Sequence, residues 1–460
     1  MYPSEDLLAG SRISTVRDCF GRTYQVGPVP EELISRSRAW MAWLPWAAMA
    51  ATGVMQYAFG SLVPQLAERG WGVTETLWLL AAWTIFQAIA GFPTAYLRER
   101  GKLGPRAVMV LGAALMLAGM VSLAHFDSYP MALLGYSVLG GTGAGLVYAT
   151  CTSTVAKWHP EQMASRVSFV TGAFAYGAVP FAIAFLFTPP TIALDVAAVI
   201  VAAVVATTGV FFRDPPPNWW PPHIDPQEWA VDRRRSPSRA VRQFSVREAL
   251  RTGVLPVMYF VLLAASAVSL FTVTFFAILG AQMGIGLAVV AIGTAILLGA
   301  NGAGRSLAIR ISEQIGRRRA IGAVLVAQAV GQVILAGAAS SGSIFLLLVA
   351  VTLAGVGGGA FYPLFASLAR EFFGDRDIAK THGVVYSAKA FGGVIGVGLA
   401  AFAVPAMGFP AVFLISGLIA LASAILSVRL RRPGHVSTLP IMYVVDTTMS
   451  PSLGSGGSRP

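Results

Sequence analysis

The chain has 460 residues, of which 55% are hydrophobic and only 12% charged. Soluble domains carry about 25% charged residues, so this composition excludes an ordinary water-soluble fold. The formal charge of +12 sits in short polar segments, which points to membrane topology and away from a nucleic-acid partner.

Residues 1–38 mix charges, Pro and Ser without an apolar core, and are expected to be a cytoplasmic tail. No cleavable signal is expected there; the first apolar run serves as its own insertion signal. Twelve runs of membrane-spanning length follow, at 40–66, 76–97, 106–125, 131–157, 164–187, 191–212, 255–281, 286–311, 319–340, 343–371, 380–405 and 409–430. They divide into an N-terminal bundle, 39–212, and a C-terminal bundle, 255–432. The segment 213–254 between them holds Pro215-Pro216-Pro217-Asn218-Trp219-Trp220 and Arg233-Arg234-Arg235. It is too polar to span and reads as a cytoplasmic linker facing lipid headgroups. The tail 433–460, rich in Ser, Gly and Pro, is expected to be disordered and cytoplasmic.

Loops 98–106, 157–166, 213–254, 310–319 and 370–380 hold most of the basic residues, whereas the alternate loops hold almost none beyond Arg69. That asymmetry predicts cytoplasmic termini and a multi-pass protein of the plasma membrane. Cys19 and Cys151 are the two cysteines, too few for a disulfide framework.

The halves repeat at an offset of 214 residues: Gly141-Thr142-Gly143-Ala144-Gly145-Leu146-Val147-Tyr148 overlays Gly355-Val356-Gly357-Gly358-Gly359-Ala360-Phe361-Tyr362. The same offset relates Glu99 to Glu313 and Arg166 to Lys380. A parallel six-plus-six repeat is the arrangement of major facilitator transporters, with a site near mid-membrane between the halves. The glycines let helices approach closely and lack the strand that a dinucleotide fingerprint needs.

Arg305 and Lys389 lie deep in spans 8 and 11. Each is about 12–13 Å, at 1.5 Å per residue, from the polar loop on the same side. A charge at that depth costs roughly 2.5–3.5 kcal/mol even on the mildest insertion scale, and snorkelling does not reach far enough to relieve it. The 21 acidic residues fall in tails, loops or span ends, with Asp195 the nearest exception. The expected counter-ion is therefore cargo. A guanidinium fork beside a compact ammonium suits a small dicarboxylate, or a monocarboxylate with a second polar end. Without an embedded acid there is no proton relay, and two unpaired cations should resist closure unless an anion is bound, which favours exchange.

Gln56, Tyr57, Trp83, Gln87, Tyr148, Tyr362 and Tyr386 fall at similar depth and are candidate cage residues, with Phe174 or Tyr176 as alternatives in span 5. No paired carboxylates or metal-spaced histidines suggest an enzyme; His125, His159, His223, His382 and His435 read as scattered over loops and termini. No cofactor or metal is expected. The expected partners are a small organic anion and the lipid bilayer, with a functional monomer.

These residues resemble the oxalate/formate antiporter family of the major facilitator superfamily across roughly 40–430. The most specific pieces are Asn301-Gly302-Ala303-Gly304-Arg305 with Ser312-Glu313-Gln314-Ile315-Gly316-Arg317, and Tyr386-Ser387-Ala388-Lys389. The resemblance implies an all-α membrane fold of twelve helices in two six-helix bundles. It makes Arg305 and Lys389 the substrate-binding cations, Tyr57, Trp83, Gln87, Tyr148 and Tyr362 cage residues, and Glu99, Glu313 and Arg317 gating-loop residues. The implied function is alternating-access exchange of small carboxylates; the alternative is a proton-coupled or uncoupled carrier of monocarboxylates or other organic acids. Two departures stand out. The family's loop Asp is Glu at Glu99 and Glu313, and Gly358 replaces an aromatic residue, which is expected to enlarge the cavity and admit a bulkier carboxylate than oxalate.

Overall fold

A computed structural model describes residues 14–232, 240–374 and 378–434. Ten helical runs in it are long and apolar enough to cross a membrane. Two of them, Trp40–Glu99 and Lys380–Ser427, have 60 and 48 residues, and as straight helices would far exceed a hydrocarbon core of about 30 Å. Each is interrupted at a glycine outside helical geometry: Gly70 at φ 96° and Gly408 at φ 78°. Side-chain-bearing residues are strained at these angles, so glycine sets the reversal. Each long run therefore crosses twice, and among the described residues the crossings number twelve.

The first crossing, α1, runs in three pieces, Trp40–Thr52, Val54–Tyr57 and Phe59–Leu66. There follow α2 (Gly72–Glu99), α3 (Pro105–His125), α4 (Tyr129–Trp158), α5 (Met163–Tyr176 and Val179–Phe187) and α6 (Pro190–Val210). The C-terminal half has α7 (Val254–Gln282), α8 (Leu287–Ile315), α9 (Arg317–Ser341) and α10 (Ile344–Phe373). It closes with α11, from Ile378–Gly393 through Val394–Leu399 to the break at Gly408, and α12, 409–427.

In the N-terminal half α3 packs on α4 and α6, and α2 on α4; in the C-terminal half α10 packs on α8 and α9, and α9 on α12. The halves meet along two seams, α2 against α11 and α5 against α8. The second seam brings backbones together: a Cβ on Gly172 would lie 2.7 Å from the carbonyl oxygen of Gly302. Towards the membrane face opposite the basic loops, α1 also meets α7, where a Cβ on Gly60 would fall 2.4 Å from the Thr274 carbonyl oxygen.

The polar segments are more ordered than their composition suggests. Strands β1 (Ser14–Arg17) and β2 (Thr23–Val26) form an antiparallel hairpin, and β3 (Trp219–Trp220) adds to β2 in parallel. Trp219 is buried against Met41 and Trp158, and its indole donates to the Pro28 carbonyl at 3.0 Å. Trp220 packs on Tyr24 and Trp229. The first part of the presumed linker is thus fixed to the N-terminal half, because two large indoles bury their area and satisfy their N–H groups there. The second part joins the other half: Phe244 donates its N–H to the Phe373 carbonyl at 3.0 Å, before a capped turn, Val246–Arg251. Arg233-Arg234-Arg235, residues 1–13 and most of the tail 433–460 lie outside the described residues.

Candidate functional site

The breaks in α1 place the first two site residues. A Cβ on Gly53 would lie 1.8 Å from the Phe174 carbonyl oxygen, so glycine permits α1 to touch α5 there. The short piece Val54–Tyr57 then carries Gln56 and Tyr57 inward beside Phe174. The Tyr57 and Phe174 rings meet edge to face at 5.7 Å.

Arg305, on α8, is 2% exposed, and Lys389, on α11, is 3% exposed. Arg305 donates from Nη1 to the Thr171 carbonyl of α5 at 2.8 Å, and from Nη2 to the Tyr57 hydroxyl at 2.9 Å and Asn301 Oδ1 at 3.3 Å. Tyr57 in turn donates to Asn301 Oδ1 at 3.4 Å. Lys389 Nζ donates to Gln56 Oε1 at 2.8 Å and Gln87 Oε1 at 2.6 Å. Both cations of the C-terminal half thus reach acceptors of the N-terminal half, and each of those acceptors is neutral. Hydrogen bonds to a charged group contribute about 1.5–3 kcal/mol each, enough to hold the charges at this depth without neutralising them.

Aromatic rings close the cage. The Tyr362 ring lies 5.4 Å from Arg305 Cζ and 5.9 Å from Lys389 Nζ. Phe174 and Tyr386 lie 5.5 and 5.8 Å from Lys389 Nζ. Tyr148 stacks on Tyr386 at 5.5 Å and meets Phe174 edge to face. Tyr148 and Tyr386 are only partly buried and sit towards the face bearing the basic loops. His382 stacks on Tyr386 a turn nearer that face; it belongs to α11 and not to a loop.

Among the described residues no acidic side chain bonds to either cation. Among the described residues the buried acids are Asp18 and Glu161, both outside the helical crossings, and Asp195 pairs with His125 at 2.8 Å. The surplus is of donors. Gln56 Nε2, Gln87 Nε2, Asn301 Nδ2 and Arg305 Nε are buried without an acceptor. Lys has donors only, so both glutamines must turn their oxygens to Lys389 and their N–H groups elsewhere. Such a donor-rich pocket fits a ligand made mostly of acceptor oxygens.

Sequence reasoning and structure differ at several positions. Phe174 faces the cage, whereas the Tyr176 hydroxyl accepts from the Trp46 indole at 2.5 Å. Trp83, expected in the cage, shares a face of α2 with Gln87 but lies one turn farther along, where it stacks on Tyr136 and its buried indole N–H has no partner among the described residues. Gly358 opens no simple void: a Cβ there would lie 2.8 Å from Ser269 Oγ and 3.4 Å from Asn301 Nδ2. Asn301, named above only within a motif and given no role, also belongs to the site; an amide one turn before an intramembrane Arg was its signal.

The loop carboxylates are peripheral. Glu99 is exposed, while its neighbour Arg98 is buried and binds Asp214 at 2.8 and 3.0 Å, the Thr150 carbonyl at 3.0 Å and the Ser153 hydroxyl. Lys157 joins Asp214 at 2.6 Å. In the C-terminal half Arg317 binds Glu371 at 3.2 Å, the Ile309 carbonyl at 3.1 Å and the Ser312 hydroxyl; Glu313 stands 3.9 Å away. Each network stays within its own half.

Comparison with known proteins adds to this geometry. The profile of the Major Facilitator Superfamily matches residues 46–308 and 294–442. The chain belongs to the major facilitator superfamily. It is a multi-pass transporter of that superfamily, and the resemblance read from its motifs holds over much of its length. It is 26% identical to an oxalate:formate antiporter of Oxalobacter formigenes over 318 residues, covering 69% of this chain and 73% of that protein. It is 24% identical to the uncharacterised MFS-type transporter YhjX of Escherichia coli K12, covering 76% and 86% of the two chains. An uncharacterised 38 kDa protein in a 23S RNA operon of Thermoproteus tenax is 25% identical, covering 78% and 87%.

Proposed function

We propose that this major facilitator transporter moves small carboxylates across the plasma membrane by alternating access, mainly by exchanging one anion for another. The carrying observation is the pair Arg305 and Lys389, buried between the halves with neutral partners and a surplus of unpaired N–H donors. The name of the Oxalobacter relative supports a carboxylate cargo, and the aromatic cage supports a small planar one. In this reading Arg305 grips the carboxylate, Lys389 supplies the second charge, and Tyr57, Tyr148, Tyr362 and Tyr386 line the cavity. Both termini lie in the cytoplasm by the charge asymmetry of the loops, and the unit is a monomer.

A second reading, uncoupled net transport, draws on the neutral acceptors around Lys389, which let the halves close on that charge. Proton coupling has less to rest on, since among the described residues no carboxyl group lines the cage.

Counterflow in proteoliposomes against a panel of mono- and dicarboxylates tests the proposal. Labelled anion should accumulate against its own gradient when unlabelled carboxylate is inside. Equal accumulation by the parent and by Arg305→Gln and Lys389→Gln would overturn it.

A further inference from the structure

Lys389 is held by two amides from the opposite half, at 2.8 Å from Gln56 Oε1 and 2.6 Å from Gln87 Oε1. We propose that Gln56 and Gln87 set how strictly transport is tied to exchange, by standing in for the carboxylate on Lys389 when none is bound. The inference rests on the carboxylate reading above and assigns the pair a positioning role on Lys389 in addition to any contact with cargo.

Three rings and two amides face the ammonium. The rings of Phe174, Tyr362 and Tyr386 present themselves at 5.5–5.9 Å and offer only the weak attraction of their π faces. The two amide oxygens are its hydrogen-bond acceptors. A buried ammonium that loses all acceptors is strongly destabilised, so without this pair the halves could not close over Lys389 unless an anion came with them. With the pair they can close, on dipoles instead of on a charge. Closure on a full negative charge remains better, so exchange stays faster than net flux while net flux is allowed.

Residue type matters. An amide carries an acceptor and a donor at one end. Gln56 and Gln87 can offer oxygen to Lys389 and, after rotation, offer to an arriving carboxylate the Nε2 groups that lack a partner here. A carboxylate side chain could not make that change, and would neutralise Lys389 permanently. A leucine could do neither. The same logic reaches Arg305 only in part, because one of its opposite-half acceptors is the backbone carbonyl of Thr171, which no side-chain change removes.

The purified full chain in proteoliposomes provides the test, with labelled oxalate, formate and lactate as separate internal probes. Efflux is measured into buffer with and without the same unlabelled anion, and the ratio of net to exchange flux is the readout. The double variant Gln56→Leu/Gln87→Leu should lower that ratio at least about a hundredfold, the effect of losing two charge-assisted hydrogen bonds. Gln87→Glu should raise it about tenfold while weakening anion affinity. A purely structural or purely cargo-binding role would move both fluxes together. If the parent exchanges any probe and neither variant changes the ratio by more than about twofold, or both change it in the same direction, the inference is refuted and the carboxylate reading survives. A parent that moves none of the probes in either mode refutes both. Should the double variant not fold, Gln87→Glu alone decides.

Discussion

Replacing Lys389 by Met removes one charge from the cage while keeping an unbranched side chain of similar length. Two costs and one gain follow from the contacts. Gln56 Oε1 and Gln87 Oε1, now bonded to Nζ, lose their donor, at about 1–3 kcal/mol each if left unsatisfied. Against this, a buried cation has gone, and removing an ion from a low-dielectric site recovers several kcal/mol. The two nearly cancel, so the folded protein should be about as stable as the parent. Transport should not be spared. A carboxylate about 4 Å from an ammonium gains about 4 kcal/mol at an effective dielectric constant near 20. Offsetting part of that with the rotated glutamines leaves a loss of roughly 100- to 1,000-fold at 1.4 kcal/mol per decade. Counterflow of labelled oxalate, formate and lactate measures the loss, and thermal unfolding in detergent measures stability. Transport within about tenfold of the parent would refute the role given to the charge. A fall in Tm of more than about 10 °C, beyond the ~2–4 °C per kcal/mol expected for chains of 150–250 residues, would refute the claim that it is costly to bury.

Other predictions test the surroundings. Phe174→Leu should reduce carboxylate transport several-fold, whereas Tyr176→Phe, which touches only the Trp46 bond, should leave it near the parent value; the reverse order would place the wrong ring in the cage. Gly172→Val drives a side chain into the Gly302 carbonyl at the α5–α8 seam, and should slow transport at least tenfold in correctly inserted protein; parent-like flux would refute the close contact between the halves. His159 has a pKa lowered to about 3, first by burial and then by Arg38 and Arg166. Its unfolded-state value is 6.5, so between the two the unfolded chain binds the extra proton and stability falls as pH drops. Tm measured from pH 7 to pH 4 should decline less steeply in His159→Leu than in the parent; parallel curves would show that His159 does not contribute.

What could be read from the sequence followed from contrast. Arg305 and Lys389 stood out because everything near them in sequence is apolar, and the repeat placed them at one depth. The positions that misled are those where local pattern cannot report direction. Trp83 and Gln87 share one face of α2, yet they reach Tyr136 and Lys389 respectively, because one turn along the axis brings each to a different neighbour. Glu99 and Glu313 matched in the repeat, but the buried bonds are made by Arg98 and Arg317 with Asp214 and Glu371, acids that lie far away in sequence. The pairing of Gln25 with Trp219 joins residues nearly two hundred positions apart, and hydropathy within either segment gives no sign of it. Gly358 looked like lost volume because a helix pattern shows a missing side chain and not the Ser269 hydroxyl that a neighbouring helix puts in its place.

The two buried cations also bear on whether the halves can close without cargo. Two cations without acids were expected to hold the halves apart until an anion arrived. The contacts show another way to meet that cost: the N-terminal half supplies Gln56, Gln87, Tyr57 and the Thr171 carbonyl, dipoles without net charge, to cations that all come from the C-terminal half. Dipoles stabilise a buried cation less than a carboxylate does; under the proposal above, that leaves the bare transition slow and not forbidden. Had the opposite half offered an Asp in place of Gln87, the cation would be satisfied permanently and the anion would bring no advantage to closure. Had it offered only leucines, the protein would be trapped until loaded. The choice of amides lies between these, and under the proposal above it would make any preference for exchange a matter of degree, set by two side chains that face Lys389.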